Sequence, residues 1–193
     1  HKVIRHLLDG VIKAADELNL NLQCIQKAGE LEANCHRLTF AKTNEDLFNG
    51  LSGNCQVAGG TAWLWSREDA FEKVDVLFVD EAAQMSLANV LAVSQAGKTV
   101  VLLGDPQQLD QPMQGSHPEG TDVSALNHIL GIEQTISPEK GLFLGETWRL
   151  HPDICKFTSE LFYDSKLKSR MALRFKLLSL KEKLMGQGFD TYL

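Results

Sequence analysis

Val74-Asp75-Val76-Leu77-Phe78-Val79-Asp80-Glu81-Ala82-Ala83-Gln84 is the stretch on which the fold turns. Five of its first six residues are apolar, and it then stops on two adjacent carboxylates. A short apolar run rich in β-branched and aromatic side chains predicts a strand buried on both faces, the habit of a parallel sheet covered by helices. Asp80 and Glu81 then fall at its carboxyl end, the edge at which an open α/β sheet presents groups to a ligand. Two readings of the pair stand side by side. One is a metal-holding Asp80 with a water-orienting Glu81. The other is an acidic pair that only favours the start of the next helix.

Working outward, residues 99–103 and 55–58 are further short apolar runs and read as strands of the same sheet. Between 86 and 97, Ser86 opens and Gly97 closes an apolar segment with the punctuation of a crossover helix. At the N-terminal end Ile4, Leu7, Leu8, Val11, Ile12, Ala15 and Leu18 recur at three- and four-residue steps, predicting an amphipathic helix to about Asn19. Beyond the strand at 99–103 lies Gly104-Asp105-Pro106-Gln107-Gln108-Leu109, which brings a third carboxylate and an amide to the same edge. Gln108 carries both a donor and an acceptor, so it can bridge a phosphate oxygen and a water, or simply satisfy loop backbone. The region from Gly104 to Gly120 holds three prolines and three glycines and reads as a long functional loop. Short helix at 124–130, a turn-rich hinge at 136–141, a strand at 142–144 and a helix from Asp153 after Pro152 complete the expectation.

Three ordered motifs carry a resemblance. Asp80-Glu81-Ala82-Ala83-Gln84, Gly104-Asp105-Pro106-Gln107-Gln108-Leu109 and Thr147-Trp148-Arg149-Leu150-His151-Pro152 resemble, in order and spacing, motifs II, III and IV of superfamily 1 helicases. The likeness is to the 5′-3′ branch, which includes the nonsense-mediated-decay helicase and nuclease-helicase fusions, and it runs from His1 to about Leu167. His1-Lys2 resembles the end of motif Ia, and Gly59-Gly60-Thr61-Ala62-Trp63 resembles the segment that touches the nucleic-acid backbone.

The resemblance implies an α/β fold: a P-loop NTPase, RecA-like parallel sheet flanked by helices, without its first strand and phosphate loop. It implies a first motor domain over 1–137 and the beginning of a second over 138–193, with the boundary near Pro138. ATP and Mg2+ are the implied cofactors, with Asp80 coordinating the metal and Glu81 activating water. Gln108 would sense the γ-phosphate, Arg149 would reach the same phosphate from the second domain, and Asp105 would line the nucleotide site. Trp148 stands where the family usually has Tyr and would stack on adenine, unless it is a core aromatic. His1, Gly60 and Thr61 are the implied nucleic-acid contacts. Single-stranded nucleic acid is the implied partner, DNA favoured over RNA, with a nuclease domain in the same parent chain as a further expectation.

The 193 residues depart from the pattern in one large respect. A phosphate-gripping loop requires Gly-x4-Gly-Lys-Ser/Thr between a strand and a helix, and none is present. Gly97-Lys98-Thr99 is a decoy, because position 92 is Ala and the tripeptide enters a strand. The chain begins without Met, so it reads as a fragment with the loop upstream and motifs V and VI downstream, and as inactive by itself. Position 110 is Asp where the resemblance has proline.

Composition bounds the alternatives. Hydrophobic residues are 44% and charged residues 23%, the proportions of a globular chain, and no stretch approaches the length of a membrane span. The net charge of -6 supplies no general attraction to nucleic acid, although seven cations against one acid between Lys166 and Lys183 make a basic tail. Leu173, Leu177, Leu180 and Leu184 within it are spaced as an amphipathic helix. Four cysteines without a paired spacing point to free thiols in a reducing, cytoplasmic setting without zinc. Cys155 beside His151 is a remote nucleophile candidate. Two rival readings remain: a non-catalytic remnant that binds a strand or a partner, and another Mg2+-dependent phosphohydrolase using Asp80 and Asp105.

Overall fold

The computed structural model describes residues 2–28, 36–108 and 123–170. His1, most of the loop expected between Gly104 and Gly120, and the leucine-spaced tail lie outside the described residues. The chain divides into two compact units between His128 and Ile129.

The first unit opens with helix α1 (Lys2–Glu17), which buries Leu8, Ile12 and Ala15 on one stripe, as the three-four spacing requires. Strands β1 (Cys24–Lys27), β2 (Leu38–Ala41) and β3 (Val57–Gly59) form a parallel sheet in the order β2-β1-β3. Cys24 pairs with Leu38 on one side and Val57 on the other, which makes β1 the central strand. Between β2 and β3, helix α2 (Asn44–Ser52) starts on a capping box: the Thr43 hydroxyl accepts from the Asp46 amide and the Asp46 carboxylate from the Thr43 amide, each at 3.0 Å. The Thr43 side chain first, and then the Thr43 amide, hold the Asp46 carboxyl below the usual carboxylate range by hydrogen bonding.

After β3 come a single turn, α3 (Ala62–Trp65), and then β4 (Val74–Val79), α4 (Leu87–Ser94) and β5 (Gly97–Leu102). β4 and β5 are parallel, with Val79 opposite Leu102, so the strand-helix-strand unit read from the sequence is present, but the two pair with each other in a sheet separate from that of β3, and the expectation of one sheet is corrected. α4 begins where expected, the Ser86 hydroxyl accepting from the Asn89 amide at 3.3 Å. Gly97 does not close the helix, however, but opens β5, because the helix ends in a turn at Gln95 and Ala96. The Gly97-Lys98-Thr99 decoy is therefore strand, with the Lys98 ammonium on the Asp75 carboxylate at 2.8 Å.

The expectation that these strands are buried on both faces is corrected. Leu77 and Val79 face a core that includes Val90, Val93 and Ala96 of the crossover, whereas Val76 and Phe78 on the opposite face are 44% and 61% exposed. Only one helix-bearing side is packed among the described residues. The same core takes Ile25, Leu47, Phe48, Leu64 and Trp65, with the Phe48 and Trp65 rings edge to face at 6.3 Å. Helix α5 (Ala125–Leu130) adds Ala125 and Leu126 to it.

In the second unit the strand expected at 142–144 is absent. Pairing instead begins at β6 (Glu146–Thr147), which runs parallel to β7 (Lys168–Ser169). Helix α6 (Pro152–Phe162) lies between them in sequence, starting at Pro152 as its fixed φ favours. Its turn into β7 is held by Thr135, Asp164 and Lys166: the Thr135 hydroxyl bonds the Asp164 carboxylate at 2.6 Å and accepts from the Lys166 ammonium at 2.5 Å.

Leu47 has no exposed surface. Leu47→Ala is expected to destabilise the first unit by about 2–5 kcal/mol, and Thr43→Ala by about 1 kcal/mol, as read from urea denaturation midpoints.

Candidate nucleotide site

The parallel pairing of β4 with β5 delivers two loops to one edge. Past the last pair, Leu103 donates its amide to the Val79 carbonyl and Ala82 donates to the Leu103 carbonyl, both at 2.8 Å. The chain after β4 is thereby stitched to the chain after β5 for one further turn. The approach is close: a Cβ on Gly104 would lie 3.1 and 3.2 Å from the Ala83 and Ala82 amide nitrogens. Ala82 and Ala83 are themselves buried, so the small residues between the acidic pair and Gln84 are there for contact.

The acidic pair is positioned by its own backbone. Asp80 is exposed and its Oδ1 accepts from the Glu81 amide at 3.0 Å. Glu81 is exposed and sits in the left-handed region at φ 54°, a conformation that costs a side-chain-bearing residue about 1–2 kcal/mol. Strain of that kind collects where a side chain is aimed for a purpose. The Gln84 amide reaches back to the Glu81 carboxylate at 3.5 Å. On the neighbouring loop, Asp105 Oδ1 accepts from the Gln107 amide at 3.1 Å and its carbonyl from the Gln108 amide at 3.2 Å, a tight turn that leaves the Gln108 side chain exposed. Asp80, Glu81, Asp105 and Gln108 are thus on two hydrogen-bonded loops at one sheet edge.

The donor set suits a hard cation that arrives with a nucleotide. Carboxylate oxygen is the ligand magnesium prefers, and the ion is usually held by one or two such groups together with substrate phosphates. Among the described residues no three His, Cys, Asp or Glu side chains gather to cage a metal by themselves, and none gathers for zinc.

The remaining candidates fall elsewhere. Gly59 and Gly60 are closely packed, since a Cβ on Gly59 would lie 2.6 Å from the Ile4 side chain and one on Gly60 2.3 Å from the Leu64 side chain, and either side chain would have to shift. Thr61 takes the cap position of α3, but its hydroxyl makes no capping bond, and Trp63 beside it is 85% exposed. In the second unit Trp148 and Arg149 are exposed and follow β6 directly, with the Arg149 amide donating to the Thr147 hydroxyl at 3.2 Å. Among the described residues Trp148 is therefore not packed as a core aromatic.

Cys155 is no nucleophile. It is buried, its thiol points to the Leu167 carbonyl at 3.7 Å, and burial pushes the thiol pKa up. His151 is occupied as the helix cap, its Nδ1 accepting from the Asp153 amide at 3.4 Å. Cys24 is a core thiol, pushed up to about 11, first by burial and then by Cys55 and Asp9.

Comparison with known proteins gives the same direction. Residues 29–113 match the AAA domain family model. The chain is 30% identical over 97 residues to Helicase SEN1 of Saccharomyces cerevisiae, covering 50% of this chain and 4% of that protein. It is 31% identical over 110 residues to the 5′-3′ DNA helicase ZGRF1 of Mus musculus, covering 53% and 6%. It is 29% identical over 116 residues to the DNA polymerase alpha-associated DNA helicase A of Schizosaccharomyces pombe, covering 58% and 16%.

Over about half its length the chain is thus similar to proteins named as helicases. Its mixed α/β fold with parallel strands fits a P-loop NTPase. The helicase-like chain spans a small part of the length of these relatives. No solved structure matches it. Among its described residues no helix is long and apolar enough to cross a membrane.

The strained backbone makes a measurable expectation. Glu81→Gly removes the left-handed penalty and is expected to raise stability by about 0.5–1 kcal/mol, against the usual loss on introducing glycine. A lowered urea midpoint would show that Glu81 is not strained.

Proposed function

We propose that the chain is part of an intracellular ATP-dependent helicase or translocase that couples Mg-ATP hydrolysis to movement along single-stranded nucleic acid. The observation that carries this reading is the pair of stitched loops, which sets Asp80 and Glu81 beside Asp105 and Gln108 at the carboxyl edge of two parallel strands. DNA is favoured over RNA, on the strength of relatives whose names specify DNA helicases.

In this reading Asp80 holds the metal through its carboxylate, directly or through water. When bound, Mg2+ neutralises charge that develops on the β- and γ-phosphates. Glu81 orients the attacking water and accepts its proton as the terminal phosphoryl group leaves ADP. Gln108 bridges that phosphoryl group and the water with its amide. Asp105 fixes the loop on which Gln108 stands. Arg149 supplies a planar, bidentate guanidinium to the same phosphate, a geometry that lysine cannot match. Thr61, with its hydroxyl unused in capping, and Gly60 meet the strand backbone, and His1 is assigned to the same task. The phosphate grip itself, a glycine-rich loop with lysine, belongs to the parent protein in this reading, along with the strand that carries it. The motor domains are assigned to 1–137 and 138–193, and a nuclease domain in the parent is part of the same proposal.

In the full-length protein Glu81→Gln is expected to lower the ATP turnover number at least about a hundredfold while ATP binding persists, measured by steady-state phosphate release and equilibrium dialysis. Turnover at the wild-type rate would remove Glu81 from catalysis. The 193 residues alone are expected to release no phosphate from ATP above background, with or without single-stranded DNA. A strand-binding parent that binds no ATP would instead favour the non-catalytic reading.

A further inference from the structure

The second unit holds an aromatic side chain with a cation against one face. Thr147 of β6 pairs with Ser169 of β7, so the residues that follow them, Trp148 and Arg170, leave the two strands side by side. The Arg170 guanidinium carbon lies over the indole, 4.4 Å from its centroid. That guanidinium is anchored, because its Nε donates to the Glu146 carboxylate at 2.5 Å and the Arg170 amide donates to the Thr147 carbonyl at 3.0 Å. The indole is nevertheless 58% exposed. A held cation lies against one face, and more than half of the residue's surface remains exposed.

A planar cation on one face of an indole draws on the ring's quadrupole, fixes its tilt, and leaves a flat apolar surface of about the size of a purine. Arg suits this better than Lys, since a guanidinium lies flat against the ring while an ammonium is a hydrated point. We propose that Arg170 is a positioning residue for the nucleotide base: anchored by Glu146, it backs the Trp148 ring so that a purine stacks on the opposite face. The inference rests on the ATP-dependent reading above and assigns no role to Arg170 in contact with phosphate.

The test uses the full-length protein with Arg170→Ala, Arg170→Lys and Glu146→Gln. Without nucleotide, acrylamide quenching of the Trp148 emission, obtained as the difference from Trp148→Phe in each background, is expected to rise in Arg170→Ala as the covered face opens. Equilibrium binding is then compared for ATP and for inorganic tripolyphosphate, which has phosphates and no base. Arg170→Ala is expected to weaken ATP about three- to tenfold and to leave tripolyphosphate within about twofold, with Arg170→Lys between wild type and Ala. Equal weakening of both ligands would make Arg170 a phosphate cation, and tighter ATP binding would mean that it occupies the place of the base; either overturns the proposal. Wild-type affinity for ATP in Arg170→Ala overturns it alone, whereas a wild-type protein that binds no ATP overturns the functional reading and this inference with it. Should Arg170→Ala fail to fold, Glu146→Gln, which frees the guanidinium without deleting it, is expected to move the same two readouts in the same directions by less.

Discussion

Two backbone hydrogen bonds, Leu103 to Val79 and Ala82 to Leu103, hold the candidate site in one piece. They extend the pairing of two parallel strands past the point at which the strands themselves end. The second bond brings the chain after β4 close to the chain after β5, so that a Cβ at position 104 would crowd the Ala82 and Ala83 amides at 3.2 and 3.1 Å. The alanines at 82 and 83 follow from the same closeness. The acids and amides of the two loops therefore share a rigid base, and a displacement of either loop is felt by the other.

This arrangement was legible in part from the sequence. The apolar run ending in Asp80 and Glu81, the crossover helix capped by Ser86 and the parallel relation of its strands were all readable, because burial and capping leave a local signature. β1 and β2 were not. Each has four residues, and Gln26 and Lys27 in one and Thr39 in the other break the apolar pattern, although the sheet is built around β1. The full burial expected of β4 also failed, because a run such as Val76 to Val79 looks alike whether one face is covered or two. The strand expected at 142–144 was read from leucines that the structure leaves exposed, while pairing went to Glu146 and Thr147, where no apolar signal exists.

The candidate site divides along similar lines. Residue types with obvious chemistry could be chosen from their position after predicted strands. What surrounds them could not: the left-handed turn at Glu81 has no glycine or asparagine to announce it, and Arg170 is one cation among seven in a basic stretch. Its link to Trp148 comes from the short pairing of β6 with β7, a contact between residues 22 positions apart (170 minus 148) that no local spacing encodes. The remote thiol candidate was removed by burial and by the capping duty of His151, neither of which is visible in a four-residue spacing.

The backbone at Glu81 sets two pressures of opposite sign on one codon. The proposed function asks for a carboxylate there, while the left-handed geometry favours glycine or asparagine. In a lineage that still needs the acid, the strain is tolerated. In a gene copy released from that need, drift would relax the position toward glycine or asparagine before the surrounding alanines, which packing continues to hold. The identity of this single residue in a duplicated or decaying copy would then date the loss of its role more sharply than the erosion of the motif as a whole.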